Sequence, residues 1–130
     1  MRHLDTNVVS ALMSGERAAE LRFTRHYPRL ALSAIALAEL RFGVANSGRP
    51  AANMRKLHDV LQYLDVVSFD EKCAAQYGAL RKALEDDGRP LRDADLFIAA
   101  SALAHNAILV THNTRHFADI DGLQLEDWLA

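Results

Sequence analysis

Apolar residues in this chain come in short blocks whose spacing changes from one segment to the next. Residues 2–5 read as a short strand that ends on the carboxylate of Asp5. Residues 7–13 are apolar enough for a helix, with Ser14-Gly15 as its stop. Residues 16–26 predict a second helix, closed by Tyr27-Pro28. Residues 29–32 look like a buried strand, and Ser33 suits the N-cap of a helix over 34–46. After the break Ser47-Gly48-Arg49-Pro50, the residues Met54, Leu57, Leu61 and Leu64 keep helical spacing. Val66-Val67 is a short strand. Asp70 then caps a helix in which Cys73, Tyr77, Leu80 and Leu84 share a face, and residues 86–90 end it. Another helix runs from about 94 to 105. Residues 107–111 (AILVT) are the clearest strand, and residues 123–128 alternate as an edge strand does.

Strands separated by helices predict parallel pairing in an α/β sandwich. Ligands of such sheets bind beyond the carboxyl ends of the strands. Asp5 ends the first strand, and Thr111 ends AILVT with His112 and Asn113 just after it, so both strand ends should face one crevice.

Three carboxylates break the apolar pattern. Asp5 follows a four-residue lead, Glu39 is the only ionisable residue in LALSAIALAEL, and Asp95 opens the uncharged run LFIAASALA. A lone carboxylate at the edge of a core is costly unless paired, hydrogen-bonded or bound to metal. No Lys or Arg buried beside them is evident, so three together point to one shared cation. Hard oxygen donors suit Mg²⁺ or Mn²⁺. Helix geometry separates Asp95 from its neighbour Asp93, since two positions are a rotation of about 200°. Asp93 reads as an N-cap. Asp95 lies over Ile98, Ala99 and Ala102, an inward face, and Glu39 neighbours Ile35, Ala36, Phe42 and Gly43.

Composition narrows the classes. The 130 residues fit one domain over 1–130, and 50% hydrophobic content excludes global disorder. A single cysteine, Cys73, excludes an internal disulfide framework. No signal peptide or membrane span is evident, which predicts a cytoplasmic protein. The net charge of −2 argues against a basic nucleic-acid module, but its distribution is uneven. Residues 1–60 hold nine Lys/Arg against five Asp/Glu, and residues 61–130 hold six against twelve. Arg41, Arg49, Arg55 and Lys56 could form a basic rim for phosphate near the acidic centre. His3, His26, His58 and His105 are scattered without metal-ligand spacing, and His112 and His116 read as loop residues.

Taken in order, Leu4-Asp5-Thr6-Asn7, Ser33 through Ala38-Glu39-Leu40 and Gly43, Asp95 through Ala100, Leu109 through Phe117, and Gly122-Leu123 to Asp127-Trp128 resemble PIN-domain proteins, most of all VapC-type toxins of VapBC systems. The resemblance implies a three-layer α/β/α sandwich with a central parallel sheet of four to five strands. It implies a Mg²⁺- or Mn²⁺-dependent endoribonuclease with Asp5, Glu39 and Asp95 as catalytic and metal-binding residues. Thr6, Ser33 and Asn113 would support them, and Arg41 and Arg115 would meet the RNA. It also implies a homodimer and a cognate antitoxin that blocks the site. The residue 54–64 seam reads first as core, and with the apolar segment near Val8 and Leu12 it could leave a groove for an antitoxin helix. Asn113 stands where a fourth acidic residue is common in PIN nucleases, and His116 stands at another such position. A catalytically weak fold that binds RNA or antitoxin is the alternative. A haloacid-dehalogenase-like phosphotransferase fits poorly, because Asn7 stands where a second Asp is needed and no suitably placed Lys follows the later strands.

Overall fold

The computed structural model describes residues 1–130. Five parallel strands, β1 (Arg2–Leu4), β2 (Leu30–Ser33), β3 (Asp65–Val67), β4 (Ile108–Val110) and β5 (Leu125–Glu126), form one sheet in the order β3-β2-β1-β4-β5. Between them lie α1 (Thr6–Met13), α2 (Arg17–His26), α3 (Ala34–Ala45), α4 (Pro50–Leu61), α5 (Glu71–Asp86), α6 (Asp93–Ala104) and α7 (Thr114–Phe117). The first, second and fourth helices pack together as one group, and α5 pairs with α6 as another, while α3 touches both α1 and α6. This is the expected three-layer α/β/α sandwich.

Local chemistry explains the element ends. Ser33 Oγ accepts from the Ala36 N–H at 3.0 Å, and Asp70 Oδ1 accepts from the Cys73 N–H at 3.1 Å. Each satisfies one orphan donor of a helix start. The uncharged run after Asp95 is buried on nearly every side, as an all-apolar helix must be. The four-residue α7 was not legible in the pattern, being too short to show a period.

Two expectations need correction. Asp93 is not an N-cap: the extended residue before the helix is Arg92, and Asp93 is the first helical residue, its exposed carboxylate accepting from the Tyr77 hydroxyl at 3.2 Å. The α4 seam is not a free groove either. Leu57 and Val8 are fully buried, because α1 packs directly on α4, and Met54, Leu61 and Leu12 are partly buried against the same core.

The strand order positions the site. From β1 the chain steps outward to β2 and β3, then returns to place β4 on the other side of β1. The direction of winding therefore reverses at β1 and β4, the place where open α/β sheets offer a crevice. The residues just past those two strands are Asp5 and Thr111.

Candidate active site

Asp5 is held by the backbone that ends β1. Its N–H donates to the Val110 carbonyl at 2.8 Å, joining it to β4. Its Oδ1 accepts from the Thr6 N–H at 2.8 Å, which makes it the N-cap of α1. Its Oδ2 accepts from the Thr111 hydroxyl at 2.8 Å, and Thr111 Oγ1 in turn accepts from the Asn113 N–H at 3.0 Å. Asp5 is only 4% exposed. Burial pushes its pKa up, the two hydrogen bonds oppose that rise, and the nearby charge of Asp95 adds to it.

Asp95 lies in the first turn of α6, where the helix dipole favours negative charge. It is 7% exposed. Glu39 comes from the middle of α3 and is half-buried. Burial raises the Glu39 pKa, Arg92 lowers it, and Asp5 and Asp95 raise it further. The structure thus brings the three predicted carboxylates into one mutually repelling group at the crevice.

The sequence reading missed a cation in this group. Arg92 reaches over it from solvent, with Nη2 3.4 Å from Asp95 Oδ1 and 3.9 Å from Glu39 Oε2. Its side chain is 70% exposed, so the carboxylates do have a positive neighbour, though not a buried one. Its spacing three residues before Asp95 on a helix start was the available signal. His116, which reads from the sequence as a loop residue, also reaches the group: its Nδ1 lies 3.6 Å from Asp95 Oδ2.

The supporting residues divide. Thr6 borders the carboxylates and holds Asp5 through its backbone N–H. Ser33 does not meet them; its hydroxyl caps α3 and so orients Glu39 indirectly. Asn113 acts through its backbone on Thr111, which does the direct work on Asp5. Neither proposed RNA-binding arginine contacts the carboxylates: Arg41 lies with Nη1 3.9 Å from Met54 Sδ, and Arg115 is exposed on α7. Beside Thr6 and Glu39 a cavity of about 410 Å³ runs between α1, α3 and α4 as far as Lys56.

The donor set is three carboxylates, with the His116 imidazole at its edge and no sulfur, and its carboxylate oxygens fit a hard divalent cation. No trio of these side chains is drawn together tightly enough to share one ion as they stand. Arg92 spans the gap between Glu39 and Asp95 instead.

A PIN-domain family profile matches residues 3–123. The chain belongs to the PIN-domain family. It is 43% identical over 99 residues to Ribonuclease VapC2 of Rickettsia felis, covering 76% of this chain and 74% of that protein. It is 32% identical to the tRNA(fMet)-specific endonuclease VapC of Shigella flexneri, over 96% of both chains. Among solved structures, VapBC2 of Rickettsia felis bound to a promoter DNA fragment matches with a TM-score of 0.94 at 35% identity, covering 98% of each chain. DNA-bound VapBC of Salmonella typhimurium matches with a TM-score of 0.92 at 30% identity, over 98% of this PIN domain and 97% of that chain.

Proposed function

We propose that residues 1–130 form one PIN domain that acts as a divalent-metal-dependent endoribonuclease, the toxin of a toxin–antitoxin pair. The observation that carries this reading is the convergence of Asp5, Asp95 and Glu39 at the β1/β4 crevice, with Asp5 locked by Thr111 and Thr6. Asp5 and Asp95 would hold the ion, with Glu39 completing the set, and Mg²⁺ or Mn²⁺ is the proposed metal. An ion held there would supply Lewis-acid polarisation of a phosphate and make water more acidic. Thr111 and Thr6 keep Asp5 from rotating away. Glu39, whose proton affinity is raised, takes a proton from water at a carboxylate oxygen. Arg92 stands where its guanidinium can turn from the carboxylates to an RNA phosphate. Lys56, at the far end of the adjoining cavity, extends the positive rim.

Transfer RNA is the proposed first substrate, since the Shigella flexneri relative that aligns over almost the full chain is named for one. The proposed partners are a second copy of the chain and a cognate antitoxin, the latter supported by solved relatives that are toxin–antitoxin complexes. The apolar surface left for an antitoxin helix is not the α4 seam but a shallow cavity of about 230 Å³ walled by Leu12, Phe23, Val60 and Tyr63. No helix is long and apolar enough to cross a membrane, and we place the protein in the cytoplasm.

The test is cleavage of a tRNA transcript by purified, antitoxin-free protein. Mg²⁺ or Mn²⁺ should support cleavage and EDTA should stop it. Undiminished cutting in EDTA refutes the mechanism, and metal-independent binding without cutting favours the binding-module alternative.

A further inference from the structure

The cavity beside Glu39 is larger than metal binding needs. Its volume of about 410 Å³ falls in the range of small-ligand pockets, ~300–1,000 Å³. One end is shared with the carboxylate group, through Thr6 and Glu39. The walls mix apolar Met13, Leu40 and Val44 with the hydroxyls of Ser10 and Ser14 and the amide of Asn53. Asn53 donates one amide hydrogen to Ser47 Oγ at 2.9 Å, which fixes the amide and leaves its Oδ1 free to accept. Apolar faces interleaved with hydroxyls and an amide suit a flat ring that carries donors and acceptors on its rim.

Gly43 supplies the second observation. It lies inside α3, where glycine costs about 1 kcal/mol relative to alanine. It has ordinary helical backbone, so no turn requires it. A Cβ built there meets nothing within 4 Å, so no packing within the chain requires it either. What its missing side chain does is leave the cavity wall open.

We propose that this cavity is a nucleobase subsite, which seats the base of the nucleotide flanking the scissile phosphate while Glu39 and its partners act on that phosphate. The proposal rests on the ribonuclease reading above. Single-stranded RNA is read this way, by splaying a base into a pocket and bonding its edge. Lys56, at the far rim, would meet the next phosphate.

The experiment uses a tRNA transcript whose cleavage site is mapped first. The same RNA is then assembled with an abasic nucleotide on either side of that site. The wild-type protein with Mg²⁺ should lose about tenfold or more in kcat/KM on one of the two abasic RNAs, in line with the contribution of a seated base. Gly43→Leu, which fills the cavity, should raise KM on the intact RNA and cut the abasic and intact RNAs with a ratio near one. Ser10→Leu, on the opposite wall, repeats the test from α1 should Gly43→Leu fold poorly. Gly43→Ala should melt about 2–4 °C above wild type. Gly78→Ala, inside α5 with equally open space at its Cβ but away from this cavity, should give the same gain and unchanged kinetics. Equal cleavage of both abasic RNAs and the intact RNA by wild type overturns the subsite while leaving the ribonuclease reading intact. Retained abasic discrimination in both filled variants also overturns it. If filling the cavity abolishes antitoxin binding and spares RNA kinetics, the cavity belongs to the antitoxin and the proposal fails. Absence of any metal-dependent cleavage removes the ribonuclease reading and the subsite with it.

Discussion

Replacing His3 by leucine should make the protein more resistant to acid. His3 sits in the central strand β1, 2% exposed, with no hydrogen-bond partner for either ring nitrogen. Burial, then the neighbouring ring of His105 at 5.2 Å, then the charged N-terminus lower its pKa from 6.5 to about 4. The folded-state value is depressed, so the stability tied to a neutral ring is complete above pH 6.5. It is lost as pH falls from 6.5 towards 4, because the unfolded chain takes the proton first. At ~1.36 kcal/mol per pKa unit, the loss at pH 5 is about 2 kcal/mol, and it grows to a little over ~3 kcal/mol once the folded ring also titrates. For a domain of this size the pH 5 loss corresponds to roughly 8 °C in melting temperature. His3→Leu keeps an apolar group of similar bulk and removes the titration. Melting curves of both proteins at pH 7.5 and pH 5, without metal and with EDTA present, give the test. The variant should match or exceed wild type at pH 7.5, since two orphaned polar atoms are gone. It should gain about 2 kcal/mol on wild type at pH 5. Asp5 and Glu39 pull the other way, since stability linked to their raised pKa values is lost as pH rises, so only the difference between the two proteins is diagnostic. Parallel loss of stability in both proteins between the two pH values would refute the reasoning.

Other outcomes follow from the site. Asp95→Asn should abolish cleavage, whereas Asp93→Asn should keep most of it, because Asp93 is exposed and contacts Tyr77 and Arg81 rather than the carboxylates; equal loss in an RNase assay sinks that division. Mg²⁺ at 100 times its dissociation constant should stabilise wild type by about 2.7 kcal/mol, and Asp95→Asn much less, as read by melting temperature. Arg92→Ala should bind Mn²⁺ more tightly in calorimetry, since the guanidinium no longer competes for Asp95 and Glu39, and weaker binding would contradict the idea. Thr111→Val should cost about 1.5–3 kcal/mol in urea unfolding, the value of a hydrogen bond to a charged group, and should lower kcat by freeing Asp5.

The three carboxylates were legible because each interrupts an apolar run, and burial of charge is conspicuous in a one-dimensional pattern. The parallel sheet was legible for the same reason, from AILVT and its alternation with helices. What escaped the pattern depends on reach rather than position. Arg92 lies in a polar stretch after Pro90 and looks solvated until its long side chain is seen folding back over α6. Thr111 was placed at the crevice without a role, because its bond to Asp5 depends on β4 lying directly beside β1, a neighbour relation the pattern does not show. His3 and His105 are far apart along the chain, and only the pairing of β1 with β4, which the segment after α6 enters, brings their rings together. The start of α6 was misread by one residue, which is enough to turn Asp93 from a cap into a first-turn residue.

The place of β1 between β2 and β4 has a consequence for when activity appears during synthesis. A nascent chain that has emerged only as far as β3 already carries Asp5 and Glu39, but neither Asp95 nor the Thr111 hydroxyl that holds Asp5. Their contact closes a loop of more than a hundred residues, the slow kind of pairing that comes late in folding. The ribosome therefore releases most of this chain before a working nuclease exists. Asp5 gains the hydroxyl that holds it only when β4 inserts beside β1.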